Sequence, residues 1–171
     1  MEGSPRKPAV RSSPVTKPQE ARPLFLISVS QDPNSRFRPY MEDGYRSIEG
    51  YLNDPSQAYF AVFDGHGGAQ AMEYCRNRLH EELRKAIGEC GDVEQALRRC
   101  FAKVDDQLRL TGAQNTGTTA TVGLFRLERE QRVLYLANVG DTRAVLVSST
   151  GTQRLSVDHK ATNPAEINRI R

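Results

Sequence analysis

The chain has 171 residues, of which 37% are hydrophobic and 26% charged, and 24 Lys and Arg against 21 Asp and Glu leave a net charge of +3. That is enough apolar material for one globular core, while no apolar run approaches the ~20 residues that span a bilayer and the first ten residues lack the apolar stretch of a secretory signal. The excess charge sits in residues 1–22, with five basic and two acidic groups; the remainder holds nineteen of each sign and offers no electrostatic footprint for nucleic acid.

Residues 1–22 are rich in Pro, Ser and Lys or Arg and carry too few apolar groups to offset the entropy of ordering. They read as a disordered, solvated basic tail, with the domain over residues 23–171. The domain opens on Leu24–Val29, an apolar run of strand character, followed by a polar loop over Gln31–Ser35. The next strand, Tyr59–Phe63, ends on the turn cluster Asp64-Gly65-His66-Gly67-Gly68. Met72, Cys75, Leu79, Leu83 and Ala86 recur at steps of three and four, which predicts an amphipathic helix ended by Gly88 and Gly91. Asp92 with Gln95 reads as an N-terminal cap and its partner. Val93, Leu97, Cys100, Val104 and Leu108 form the apolar stripe of a second helix.

The rest reads as β. Thr116–Phe125 and Arg132–Val139 are strands, and Gly140-Asp141-Thr142 is expected to turn the chain so that Arg143–Val147 returns as the hairpin partner of the strand before it. Leu155–Val157 is expected to add a short strand. Ala165–Arg171 looks like the start of a helix with no stop signal, and an end inside an element leads us to expect a truncated product.

Cys75, Cys90 and Cys100 are odd in number and show no C-x-x-C spacing, which argues against a disulfide framework or a zinc site. Cys75 and Cys100 occupy apolar helix positions and read as buried structural thiols. An intracellular, reducing compartment, the cytoplasm or the nucleus, is the matching expectation.

Three segments carry candidate chemistry. In Phe60–Gly68 (F-A-V-F-D-G-H-G-G) an acidic residue ends a buried strand, which would hold a rigid carboxylate at a sheet edge. Gly65 allows a sharp turn that brings its carbonyl close to a cation. Hard ions such as Mg²⁺ and Mn²⁺ take oxygen ligands, which Asp64 and the Gly65 carbonyl supply. His66 beside them is a candidate general acid. In Arg36–Asp43 (R-F-R-P-Y-M-E-D), Arg38 offers a planar donor fork for a phosphate, and Glu42 and Asp43 add carboxylates for metal-bound waters. For Asn138–Arg143 both readings stay open: a metal role for Asp141, or ordinary hairpin chemistry at Gly-Asp. His80 lies among charged residues and reads as solvated; His159, in Asp158-His159-Lys160, reads as orienting a loop.

Other reaction classes lack their signatures. A cysteine-based phosphatase places an Arg six residues after the thiolate, but the residues there are Glu81, Ala96 and Asp106. The chain has no G-x-x-x-x-G-K-[ST] loop and no G-x-S-x-G elbow.

Five segments taken in order closely resemble the metal-dependent serine/threonine protein phosphatases of type 2C. They are Arg38–Asp43, Tyr59–Gly68, Gly117–Thr121 (G-T-T-A-T), Leu136–Leu146 (L-A-N-V-G-D-T-R-A-V-L) and Leu155–Ile170. The resemblance implies an α+β fold, a four-layer α-β-β-α sandwich of two antiparallel sheets flanked by helices. It implies two Mg²⁺ or Mn²⁺ ions bridged by Asp64, with the Gly65 carbonyl on one and Glu42 and Asp43 holding metal-bound waters. It further implies Arg38 on the substrate phosphate, His66 protonating the leaving oxygen, and Asp141 on a third, weaker metal found in parts of the family. Hydrolysis of phosphoserine and phosphothreonine proteins would then proceed by a metal-activated water without a covalent enzyme intermediate.

Thr142 stands where the family more commonly has Ser. The family also draws further Asp ligands from segments beyond the E-x-x-R-I motif, and none is present in this sequence. The expectation is therefore the N-terminal part of a catalytic domain, monomeric when full length and inactive alone. The competing reading is a non-catalytic, phosphoprotein-binding or regulatory pseudophosphatase fragment.

Overall fold

The computed structural model describes residues 25–111 and 115–171, and the tail expected over residues 1–22 lies outside them. Among the described residues the order is β1 (Gly44–Glu49), β2 (Ala58–Phe63), β3 (Gly65–His66), α1 (Gln70–Cys90), α2 (Val93–Leu110), β4 (Gly117–Thr118), β5 (Ala120–Glu128), β6 (Gln131–Val139), β7 (Val145–Ser148), β8 (Gly151–Arg154) and α3 (Pro164–Ile170). Strands β1, β2, β5 and β6 make one antiparallel sheet in the order β1-β2-β5-β6, while β3-β4 and β7-β8 are separate two-stranded ribbons. The fold is α+β: α1 and α2 pack together and cover one face of the four-stranded sheet.

The side-chain periods of strand and helix decide what meets in the core. Tyr59, Ala61 and Phe63 of β2 and Ala120, Val122 and Leu124 of β5 point the same way. They meet Met72, Cys75, Leu79 and Leu83 of α1 and Ala96, Leu97, Cys100 and Val104 of α2. Burying a Val, Leu, Met or Phe side chain stabilises by roughly 1.5–3 kcal/mol, so this layer, with eight such side chains among those named, holds the fold. Cys75 and Cys100 sit inside it as free thiols, and burial pushes them up to about 11 and about 12. Asp92 caps α2 by accepting from the Gln95 amide at 2.7 Å. Buried Glu82 of α1 accepts from Lys85 of its own helix at 2.9 Å and meets Lys103 of α2 at 2.6 Å.

Several expectations are corrected. Residues 25–29 form no strand, because a strand needs a ladder partner and none lies beside them among the described residues; Phe25 is instead seated edge-on against Phe60 and Phe125 on the second face of the sheet. Strand β1 was not anticipated. Gly88 does not stop α1, which continues to Cys90 and ends where Gly91 takes a left-handed φ of 68°. The β expected over Thr116–Phe125 is broken at Thr119 into β4 and β5.

Strand β7 does not return along β6. It pairs with β8, Val145 opposite Arg154 and Ser148 opposite Gly151, because the tight Ser148–Gly151 turn supplies a nearer partner. The hairpin partner of β6 is β5, joined through Arg129 and Glu130, both at positive φ. Leu155–Val157 lies just past β8 and joins no ladder.

His80 is not solvated. It is 8% exposed, its ring 6.0 Å from that of Tyr59, and its backbone carbonyl accepts from the Tyr51 hydroxyl at 2.5 Å. No helix among the described residues is long and apolar enough to cross a membrane.

Candidate metal and phosphate site

Asp64 sits where β2 leaves the core: Phe63 is fully buried and Asp64 is exposed. Two hydrogen bonds to one residue fix its backbone. The Thr119 amide donates to the Asp64 carbonyl at 2.9 Å, and the Asp64 amide donates to Thr119 Oγ1 at 3.0 Å. The following Gly65 is buried and pairs with Thr118, opening the β3-β4 ribbon.

The Arg38–Asp43 segment is stitched onto this turn. Gly65 leaves no room for a side chain, since a Cβ there would stand 2.3 Å from the Glu42 carbonyl oxygen. The Glu42 carboxylate accepts from the Gly68 amide at 2.5 Å. Arg38, Glu42, Asp43, Asp64 and Gly65 thereby line one cleft of about 300 Å³ together with Asp32, Asn34 and Tyr40.

Asp43 faces Asp64 across that cleft. Loss of hydration, then the Asp64 charge and a hydrogen bond between the two side chains, hold the Asp43 carboxyl above the usual carboxylate range; Arg38 pulls it the other way. Two carboxyls brought this close repel when both are ionised, and a cation between them removes the repulsion. The donor set is all oxygen and therefore suits a hard divalent ion. It is a partial set: among the described residues no three His, Cys, Asp or Glu side chains are grouped to hold a metal, and Glu42 is committed to Gly68.

Two expected site residues lie off the cleft. His66 is exposed, but its imidazole lies over Gly117, where a Cβ would stand 2.5 Å from Nε2. Asp141 sits on the turn after β6 with Lys160 Nζ 3.2 Å from its carboxylate. That turn is firmly held. Gly140 and His159 exchange two hydrogen bonds, the His159 amide to the Gly140 carbonyl at 2.9 Å and the Gly140 amide to His159 Nδ1 at 3.3 Å. Asn138 Nδ2 donates to the carbonyls of Gly140 and Val157. Asp158 accepts from Arg143 and Arg154, and these hydrogen bonds, that of Arg143 foremost, lower its carboxyl to about 2. His159 thus orients the loop, as its sequence context suggests.

Sequence reasoning gives no task to Thr119 or Thr142, whose hydroxyls touch at 2.5 Å. They carry the contact between the Asp64 cleft and the Asp141 turn. Gly117–Thr121 was legible as a motif, but nothing in it assigned a task to Thr119.

This arrangement has relatives. A family model described as protein phosphatase 2C matches residues 27–171. The chain belongs to the protein phosphatase 2C family. Members of this family are metal-dependent, in keeping with the oxygen-lined cleft. Protein phosphatase 2C homolog 1 of Saccharomyces cerevisiae is 35% identical over 161 residues, covering 85% of this chain and 57% of the relative. Protein phosphatase 2C homolog 1 of Schizosaccharomyces pombe is 35% identical over 151 residues, covering 85% and 44%. The chain spans about half the length of the curated relatives it matches.

Solved structures agree on the fold. A Caenorhabditis elegans sex determining protein superposes with a TM-score of 0.65 at 23% identity over 76% of this chain and 34% of its own. A phosphatase from Toxoplasma gondii gives 0.61 at 23% identity over 78% and 53%.

Proposed function

We propose that this chain carries the phosphate-binding and metal-binding part of a protein phosphatase that hydrolyses phosphoserine and phosphothreonine in proteins. The observation that supports it most is the meeting of Arg38, Asp43, Asp64 and the Gly65 turn in one cleft, where the Asp64 charge helps to raise the Asp43 carboxyl. Family membership supports the same reading.

In this reading Asp64, with the Gly65 carbonyl, would hold Mg²⁺ or Mn²⁺, Asp43 and the Glu42 carboxylate oxygen that Gly68 does not engage would hold the waters around it, and Asp141 would serve a third ion. Two such ions, when bound, supply Lewis acidity and a water acidic enough to act at neutral pH. Arg38 takes two phosphoryl oxygens with its guanidinium fork and offsets their charge. His66 gives its proton to the departing serine or threonine oxygen. The substrate is a phosphorylated protein segment, and the three free thiols favour a reducing, intracellular compartment.

The test is Mn²⁺-dependent phosphate release from a phosphothreonine peptide by a form extended through the further Asp ligands expected of the family, with peptide affinity measured alongside. Asp64→Asn and Arg38→Ala should each lower turnover by about 10²-fold or more. Peptide binding without turnover, indifferent to Mn²⁺ and to Asp64→Asn, would make the chain a phosphoprotein-binding module.

A further inference from the structure

Thr119 stands alone between β4 and β5, and two segments distant in sequence converge on it. Its amide and its hydroxyl both bond the backbone of Asp64, 55 residues away. Its methyl faces Gly140, where a Cβ would stand 2.5 Å from Thr119 Cγ2, and φ at that glycine is 97°. Its hydroxyl touches Thr142 Oγ1 at 2.5 Å. A β-branched side chain has few χ1 wells. Methyl against Gly140 and hydroxyl shared between the Asp64 amide and Thr142 leave one of them. The turn that presses on Thr119 is itself anchored by His159 and Asn138, so it acts as a rigid stop.

We propose that Thr142 is a positioning residue: through its hydroxyl contact with Thr119 it fixes the backbone of Asp64, joining the Asn138–Arg143 turn and the cation cleft into one mechanical unit. The consequence for the cleft follows from geometry. The Asp64 amide sets the peptide plane ahead of the Asp64 side chain, and the Gly65 carbonyl lies one residue on. If Thr142 loses its hydroxyl, Thr119 can rotate, and the Asp64 amide then loses its acceptor. An unsatisfied amide at this site favours another backbone orientation, and the oxygens meant for one cation no longer converge. Thr142 touches no ligand itself; its effect passes through Thr119.

The inference rests on the metal reading above, and the test separates the two. Mn²⁺ affinity is read by water-proton relaxation, and hydrogen exchange of the Asp64 amide is read on the same samples without metal. Thr142→Val keeps the shape and removes the hydroxyl; it should weaken Mn²⁺ about tenfold, the scale of one hydrogen bond, and speed exchange at Asp64 by a similar factor. Thr142→Ser restores the hydroxyl and should stay within about twofold of wild type on both readings. Thr119→Val with Thr142→Val should be no worse than Thr119→Val alone, because the two act in series.

Wild-type exchange at Asp64 in Thr142→Val would overturn the inference. So would equal damage from Thr142→Ser, or additive losses in the double variant. Exchange at Leu124, in the core of β5, guards against general unfolding: if it rises as much as exchange at Asp64, Thr142 is merely structural and the inference fails. Should Asp64→Asn leave Mn²⁺ binding untouched, the metal reading fails, while the exchange readings still decide the role of Thr142.

Discussion

Gly65 and the backbone of Glu42 are packed against each other with no space for a methyl group: a Cβ on Gly65 would lie 2.3 Å from the Glu42 carbonyl oxygen and 3.1 Å from the Met72 Cβ. A backbone carbonyl cannot swing away as a side-chain tip can. Gly65→Ala should therefore push the Arg38–Asp43 segment off the cleft and cost about 1–3 kcal/mol. Urea unfolding measures the cost, and Mn²⁺ titration measures the damage to the site. Wild-type values on both would show that the segment has slack.

His66 and Asp64 are neighbours with separable roles. A general acid matters most for a poor leaving group such as a serine alkoxide and little for an aryl oxide. In a form extended through the further Asp ligands expected of the family, His66→Ala should reduce phosphopeptide hydrolysis by about 10²-fold while sparing nitrophenyl phosphate. Equal losses on both substrates would assign His66 to structure, in keeping with its packing over Gly117.

His80 makes stability depend on pH. Burial first, and then Arg46 on β1, lower its pKa below the ordinary 6.5; Arg84 on its own helix adds to this, Glu81 opposes it, and the facing ring of Tyr59 brings no charge at neutral pH. The folded chain thus binds the imidazole proton less readily than the unfolded chain. Above pH 6.5 His80 is neutral in both states and contributes no slope; below it, the unfolded state gains protons and stability falls. The melting temperature should drop from pH 7 to pH 5, and His80→Gln should flatten that drop. An unchanged slope in the variant would place the pH sensitivity elsewhere.

Glu82 is 3% exposed and leans on two lysines that are about half exposed. Removing both cations strands a buried carboxylate, whereas replacing Glu82 by an apolar group removes the charge itself. Lys85→Met with Lys103→Met should cost on the order of 2 kcal/mol, after allowing for solvent around the lysines. Glu82→Met should cost less. Urea midpoints of the two variants give the comparison, and the reverse order would mean that the carboxylate is effectively hydrated.

Much of the helical layer could be read from spacing. Of the two apolar stripes, Met72, Cys75, Leu79, Leu83 and Ala86 on α1 and Val93, Leu97, Cys100 and Val104 on α2 are buried, while Leu108, near the end of α2, is half-buried. The misses share a cause, which is that the partner was not local. Strand β1 is polar because β2 and α1 supply the apolar surface around it. The direction of β7 depended on which neighbour would pair with it. His80 follows Leu79 into the interface although charged residues flank it. At the site, Asp64, Gly65, Arg38 and Asp43 could be picked out because each lies in a compact segment, and the cleft does bring them together. Thr119 could not, since its partners are 55 and 23 residues away.

The β7–β8 hairpin leaves and rejoins the body through feet that are bound to each other: Gly140 with His159, Ala144 with Leu155, Arg143 with Asp158. A strip of chain closed at its base in this way does not pass on what happens at its end. Its tip, Ser149-Thr150, is thus a place where sequence can be lengthened or exchanged at small entropic cost. An epitope or a fluorophore carrier inserted there would report on the molecule from outside while the cleft, all of it more than eighty residues upstream in the chain, keeps its geometry.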